Sequence, residues 1–177
     1  MENKIEKTNM IPLFLVILGI LLRLLPHIPN FAPITATALF GGVYLNKKYA
    51  LTLPLLIMAV SDYLINPVNM FHSTTFFVWG SFLISGLIGL WVRKHNKPGF
   101  VLGASLIASL QFFLITNFGV WAMGMYSRDF YGLLQSYIMG VPFYRYTLLG
   151  DLFYTTVIFS AYSLIKVILK KLQPALV

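Results

Sequence analysis

Seven residues are candidates for chemistry: Arg23, Asn30, Asp62, Asn117, Trp121, Asp151 and Thr155. Each falls in or beside a strongly apolar run. A charge at the centre of such a run costs about 2.5–3.5 kcal/mol even on lenient scales, so it persists where it is paired or lines a wet cavity. Two readings stay open. Arg23 can pair with Asp62 or Asp151 as a strut between helices, or the group can line a pocket for a small polar ligand. Asn117 and Trp121 share a helix face at i, i+4 spacing. An amide beside an indole can hold a flat polar ligand; the plainer reading is an interfacial Trp next to a helix-end Asn. Asp151 and Thr155 repeat the i, i+4 spacing, and Gly150 lets a backbone or ligand approach Asp151 closely.

Other chemistries find no support. There is no GxxxxGK[ST], HExxH, GxSxG or EF-hand pattern, so a P-loop ATPase, a zincin and an α/β-hydrolase are excluded as readings. The chain has no cysteine, which removes disulfides, thiolate metal sites and cysteine catalysis. His27 and His72 map to one set of helix ends and could form a metal pair, but interfacial histidines are commoner there. His95 sits in a basic loop. No metal and no cofactor is expected, and the protein reads as a non-enzyme.

The elements that must position these residues are helical and apolar. Of the 177 residues, 58% are hydrophobic and 10% charged, with a mean hydropathy of +0.79. A soluble domain carries about 25% charged residues, and a small chain cannot hide this much apolar surface. Apolar residues come in runs at 10–26, 31–45, 50–65, 71–92, 100–124 and 146–169 rather than in alternation, which argues helices over a β-barrel. The first three runs are short for a span. Charge makes them spans. With the N-terminus inside, Lys4, Lys7, Lys47, Lys48, Arg93, Lys94, Lys97, Lys166, Lys170 and Lys171 are cytoplasmic, and only Arg23, Arg128 and Arg145 of the 13 basic residues are external. That asymmetry follows the positive-inside rule and accounts for the net charge of +8 without nucleic acid.

The segment 125–145 carries Phe130, Leu133, Leu134, Tyr137 and Ile138 at helical spacing. It reads as a short amphipathic helix on the outer side, ended by Gly140 and Pro142, with its apolar face covering a pocket mouth as a lid. The first run lacks a small-x-small cleavage site and reads as a retained span. Small residues recur at four-residue spacing in Thr37/Gly41, Ala38/Gly42, Ser81/Ser85/Gly89 and Ala104/Ala108. Such stripes serve close packing within the chain or docking of another subunit.

The stretches Arg23-Leu-Leu-Pro-His-Ile-Pro-Asn-Phe-Ala-Pro, Ala38-Leu-Phe-Gly-Gly-Val-Tyr, Asn117-Phe-Gly-Val-Trp and Thr147-Leu-Leu-Gly-Asp-Leu-Phe-Tyr resemble an uncharacterised bacterial family of small multi-pass proteins, over residues 23–159. More loosely, the layout is similar to the S components of energy-coupling factor vitamin transporters. That resemblance implies a six-helix fold, an outward pocket and, as partners, a vitamin-like ligand and a membrane coupling subunit with its ATPase. S components often carry an Ala-x3-Ala docking stripe on the first helix, whereas run one here has Gly19 as its only small residue. A solitary, cobalamin-type S component works without a dedicated coupling module.

The reading is an all-α polytopic membrane protein of six transmembrane helices. Residues 1–9 form a cytoplasmic tail, 10–171 a single membrane domain and 172–177 a second cytoplasmic tail. It sits in a bacterial cytoplasmic membrane with both termini inside. It takes up a vitamin or similar small molecule through Arg23, Asn30, Asp62, Asn117, Trp121, Asp151 and Thr155. An accessory or assembly subunit of a larger membrane complex is the alternative.

Overall fold

The computed structural model describes residues 2–26, 28–68, 70–95 and 97–172. They form an all-α fold of six helices: α1 (Glu2–Leu24), α2 (Ile34–Tyr44), α3 (Lys47–Ile65), α4 (Thr75–Val92), α5 (Pro98–Ala122) and α6 (Phe130–Leu172). A single 3-10 turn, Arg93–His95, follows α4. The helices α3, α4, α5 and α6 are long and apolar enough to cross a membrane, while the apolar part of α1, Met10–Leu24, and α2 are shorter. Helix α1 already starts at Glu2, within the segment the sequence assigns to a tail.

Helix α2 is the hub. It is apolar on all sides, which suits a helix with no solvent face, and Ile34 to Val43 are all buried. Its 11 residues span about 16 Å, half of a ~30 Å hydrocarbon layer. The other helices sheath it, and small residues set how closely. A Cβ on Gly42 would stand 2.6 Å from the Gly89 carbonyl carbon on α4, and one on Gly86 would stand 2.1 Å from the Ala50 oxygen on α3. Ala38, Ser81, Ser85, Ala104 and Ala108 are buried too. The small-residue stripes therefore serve packing within the chain.

Arg93 terminates α2. Its Nε donates to the Gly42 carbonyl at 2.7 Å and its Nη2 donates to the Leu45 carbonyl. A guanidinium on the last carbonyls satisfies groups that the helix leaves open and complements the negative dipole end. Phe40, Tyr44, Phe159 and Tyr162 pack together beneath this cap, with Lys166 Nζ 4.5 Å from the Tyr162 ring centre and 5.0 Å from that of Tyr44. Lys47, Lys48, Arg93 and Lys166 thus gather at one end of the bundle, leaving Arg23, Asp62 and Asn117 at the other.

Helix α6 corrects the sequence reading of the segment before it. Residues 130–138 are not a separate helix ended by Gly140 and Pro142; the helix runs unbroken through both for 43 residues, about 65 Å. In water Gly and Pro would end it. In an apolar environment a freed backbone group has no water to turn to, which favours continuing the helix over ending it. Gly140 serves a close approach: a Cβ there would lie 2.3 Å from Asn117 Oδ1. The lid expectation changes with it. Gly132, Ser136 and Gly140 form the packed face. Of the five stripe residues, Phe130, Leu134 and Ile138 are exposed, while Leu133 and Tyr137 are half-buried. Tyr137 packs on Phe113, and its hydroxyl donates to the Leu114 carbonyl at 3.0 Å. None of the five borders the cavity at the polar end of the bundle. The apolar stripe does not cover the polar end.

Candidate functional site

The polar end of the bundle holds a cavity of two adjoining lobes. The first, about 170 Å³, has Arg23, Asn30, Thr35, Phe82, Phe112 and Asp151 among its walls. The second, about 210 Å³, includes Asn30, Thr74, Thr116, Asn117 and Tyr144. Asn30, Val78, Phe112 and Thr147 border both, so the lobes are contiguous. Every helix of the fold contributes to these walls.

Sequence explains how each wall residue arrives. Arg23 lies in the last turn of α1. Asn30 occupies the turn between α1 and α2 at φ 67°, a left-handed conformation that Asn tolerates better than bulkier residues. That turn brings the exposed Asn30 to the mouth. Thr35 enters on the first turn of α2, Phe112 and Asn117 on α5, and Thr147 and Asp151 one helical turn apart on α6.

Arg23 is committed to α3. Its Nη1 stands 2.8 Å from Asp62 Oδ1 and also donates to Ser61 Oγ. Trp79 Nε1 donates to Asp62 Oδ2 at 3.3 Å, which brings α4 into the same network. Ser61 is fully buried and in turn donates to the Ile57 carbonyl. Asp62 therefore anchors Arg23 and is not itself a cavity wall. Of the two struts open in the sequence, Arg23–Asp62 forms.

Asp151 has different company. It is 2% exposed, and Ser109 Oγ donates to its Oδ2 at 2.8 Å. Thr35 is a second hydroxyl neighbour. Among the described residues no cation pairs with it. One turn on, Thr155 donates to Ser105 Oγ at 3.3 Å. It borders a separate lateral groove between α5 and α6, not the polar cavity.

Asn117 lines the second lobe, with its Nδ2 donating to the Phe113 carbonyl at 2.8 Å. Trp121 shares its face of α5 but stands outside the cavity. Its indole N–H donates to the carbonyls of Ser127 and Asp129, at 3.0 and 3.2 Å, and so holds the turn into α6. Asp129 caps α6: its Oδ1 accepts from Gly132 N–H at 2.7 Å and from Ser127 Oγ at 3.0 Å. Those donors hold its carboxyl below the ordinary carboxylate range.

The structure thus assembles Arg23, Asn30, Asn117 and Asp151 around one cavity, keeps Asp62 behind it, and sends Trp121 and Thr155 elsewhere. His72 Nδ1 lies 2.6 Å from Thr75 Oγ1 at the start of α4, and His27 lies outside the described residues. Among the described residues no group of three or more His, Asp or Glu side chains is placed to hold a metal ion. Ser61, Ser109, Thr35, Trp79 and Gln111 are the residues that sequence reasoning missed. Gln111 Nε2 donates to the Ser81 carbonyl at 3.0 Å and to Ser85 Oγ at 3.1 Å, tying α5 to α4. One signal was available for the serines of α5: Ser105 and Ser109 recur at i, i+4 in the apolar first half of that helix.

The model of a family of unknown function (DUF6580) matches residues 3–174, and the chain belongs to that family. No curated protein and no solved structure matches the chain.

Proposed function

We propose that this member of the DUF6580 family is an integral membrane protein that binds a small polar molecule in the two-lobed cavity and takes it up across a bacterial cytoplasmic membrane. The observation that carries the reading is the cavity itself. A guanidinium, a buried carboxylate and two amides converge on it from helices α1, α5, α6 and the α1–α2 turn. Burying such groups is costly, and they are retained in apolar bundles where they bind or conduct something polar.

The cavity opens at the end opposite the lysines. Under the positive-inside rule that end is the outer face, with both termini in the cytoplasm; α2, half a layer long, would cross together with the 25–33 segment that leads into it. Six helices around an outward cavity support the likeness to S components of vitamin transporters. The lobes fit a compact ligand. The accessory-subunit reading loses its main sequence support, because the small-residue stripes are spent on packing inside the chain.

The full chain, purified in nanodiscs under mild conditions, tests the reading. Denaturing extraction followed by mass spectrometry is expected to release a stoichiometric small molecule, and Asn117→Ala is expected to reduce its occupancy. Recovery of lipid alone, from well-folded protein and across several growth media, would overturn the assignment.

A further inference from the structure

The cavity carries an unbalanced charge. Arg23 and Asp151 both face the first lobe, yet they are not partners. Arg23 is neutralised by Asp62 at 2.8 Å and steadied there by Ser61. Asp151 is 2% exposed and is met by the Ser109 hydroxyl at 2.8 Å. Hydroxyls stabilise a carboxylate but do not cancel its charge. A carboxylate this deep in an apolar bundle requires a counter-charge or a proton.

The rest of the lobe favours a counter-charge with an organic body. Phe82 and Phe112 line it with ring centres 5.0 Å apart, and Phe112 continues into the second lobe. Aromatic faces attract organic cations, more strongly where water is excluded. The second lobe supplies neutral hydrogen-bonding groups, Asn117 and Thr116 among them, and no charge. Arg23 does not oppose a cation, since its own charge is held by Asp62.

We propose that the cavity selects a small organic monocation, with its ammonium against Asp151 and Phe112 and its neutral remainder in the lobe bordered by Asn117. This rests on the reading that the cavity binds a small molecule, and it names the charge class of that molecule. An anion would meet Asp151 directly. A neutral ligand would leave the carboxylate to be neutralised by a proton instead.

Three near-isosteric probes separate the classes: benzylammonium, benzyl alcohol and benzoate. Each is added to the full chain in nanodiscs at constant ionic strength, with sodium chloride alone as a fourth arm, and the melting temperature is read. Benzylammonium is expected to raise Tm by several degrees in a saturable manner, and the other three are not. Asp151→Asn keeps the shape and an acceptor for Ser109, and is expected to weaken the benzylammonium effect at least tenfold. Phe112→Leu is expected to weaken it as well, and serves if Asp151→Asn does not fold. A benzoate or benzyl alcohol shift equal to that of benzylammonium would overturn the charge assignment while leaving the cavity a binding site. So would the whole shift appearing with sodium ion, or an unchanged benzylammonium effect in Asp151→Asn. No shift with any probe also overturns it; combined with no co-purified molecule, it takes the binding reading down too.

Discussion

Arg23 and Asp62 join the ends of α1 and α3 through a 2.8 Å contact between Nη1 and Oδ1. The two helices are held side by side at the mouth of the cavity. The side chains are 17% and 18% exposed, so the pair is largely but not wholly withdrawn from solvent. Removing one partner of a fully buried pair costs about 3–5 kcal/mol, because the survivor is left uncompensated. At this exposure Arg23→Leu is expected to cost ~2–3 kcal/mol, measured as a lower melting temperature in detergent. Arg23→Leu combined with Asp62→Leu is expected to recover most of that loss. Combined with Asp151→Ala it is not, because Asp151 is not the partner of Arg23. Rescue of Asp151→Ala by Arg23→Leu would contradict the pairing.

The α6 cap supplies a pH dependence. The Asp129 carboxylate accepts from Gly132 N–H and Ser127 Oγ, which lowers its pKa in the folded state. A lowered native pKa means that the ionised form is favoured by folding. The stabilisation is then complete above the unfolded pKa and disappears as pH falls through the lowered native value. Amide exchange in the first turn of α6 is expected to show protection falling below about pH 4. Asp129→Asn retains an acceptor but is expected to lose that pH dependence. An identical acid profile for both proteins would argue against the cap.

Gly86 and Gly42 set the spacing of α4 against α3 and α2. An added Cβ would lie 2.1 Å from Ala50 O and 2.6 Å from the Gly89 carbonyl carbon, respectively. Backbone atoms cannot swing aside. Overpacking costs about 1–3 kcal/mol and more where backbone must move. Gly86→Ala and Gly42→Ala are expected to lower Tm and yield, whereas Gly103→Ala, with open space around it, is expected to be neutral. Equal stability of all three would show that the helix crossing is looser than these contacts.

Orientation is accessible to reporter fusions. A fusion after Lys97 is expected to read cytoplasmic and one after Ser127 external. Both reading the same side would break the alternation of spans. A cysteine at Leu134, which points away from the bundle at 46% exposure, is expected to label equally with and without bound ligand. Ligand-dependent labelling there would restore the lid.

Much of the fold was legible from composition and charge alone. Apolar runs without alternation dictate helices, and the lysine clusters mark which helix ends belong together. Arg23, Asn30, Asn117 and Asp151, which line one cavity, were legible as candidates because polar groups in apolar runs are expensive enough to need a reason. Gly140 and Pro142 misled, since their meaning as helix breakers is calibrated on chains in water. Trp121 misled for another reason. Its i, i+4 relation to Asn117 correctly predicts a shared face, but a face is about a third of a helix circumference, and the indole reaches past the cavity to the turn at Ser127 and Asp129.

What only the tertiary structure decided is pairing. Arg23 had two carboxylates to choose from, and the sequence held nothing that ranked them. The choice followed from helix placement: α1 packs beside α3, which carries Ser61 and Asp62 in its last turns, while α6 turns Asp151 toward Ser109 on α5. Hydrophobic patterning acts along one helix and is readable from one segment. Ion pairs and hydrogen bonds act over about 3 Å between segments far apart in the chain, so they exist only once packing has placed those segments side by side.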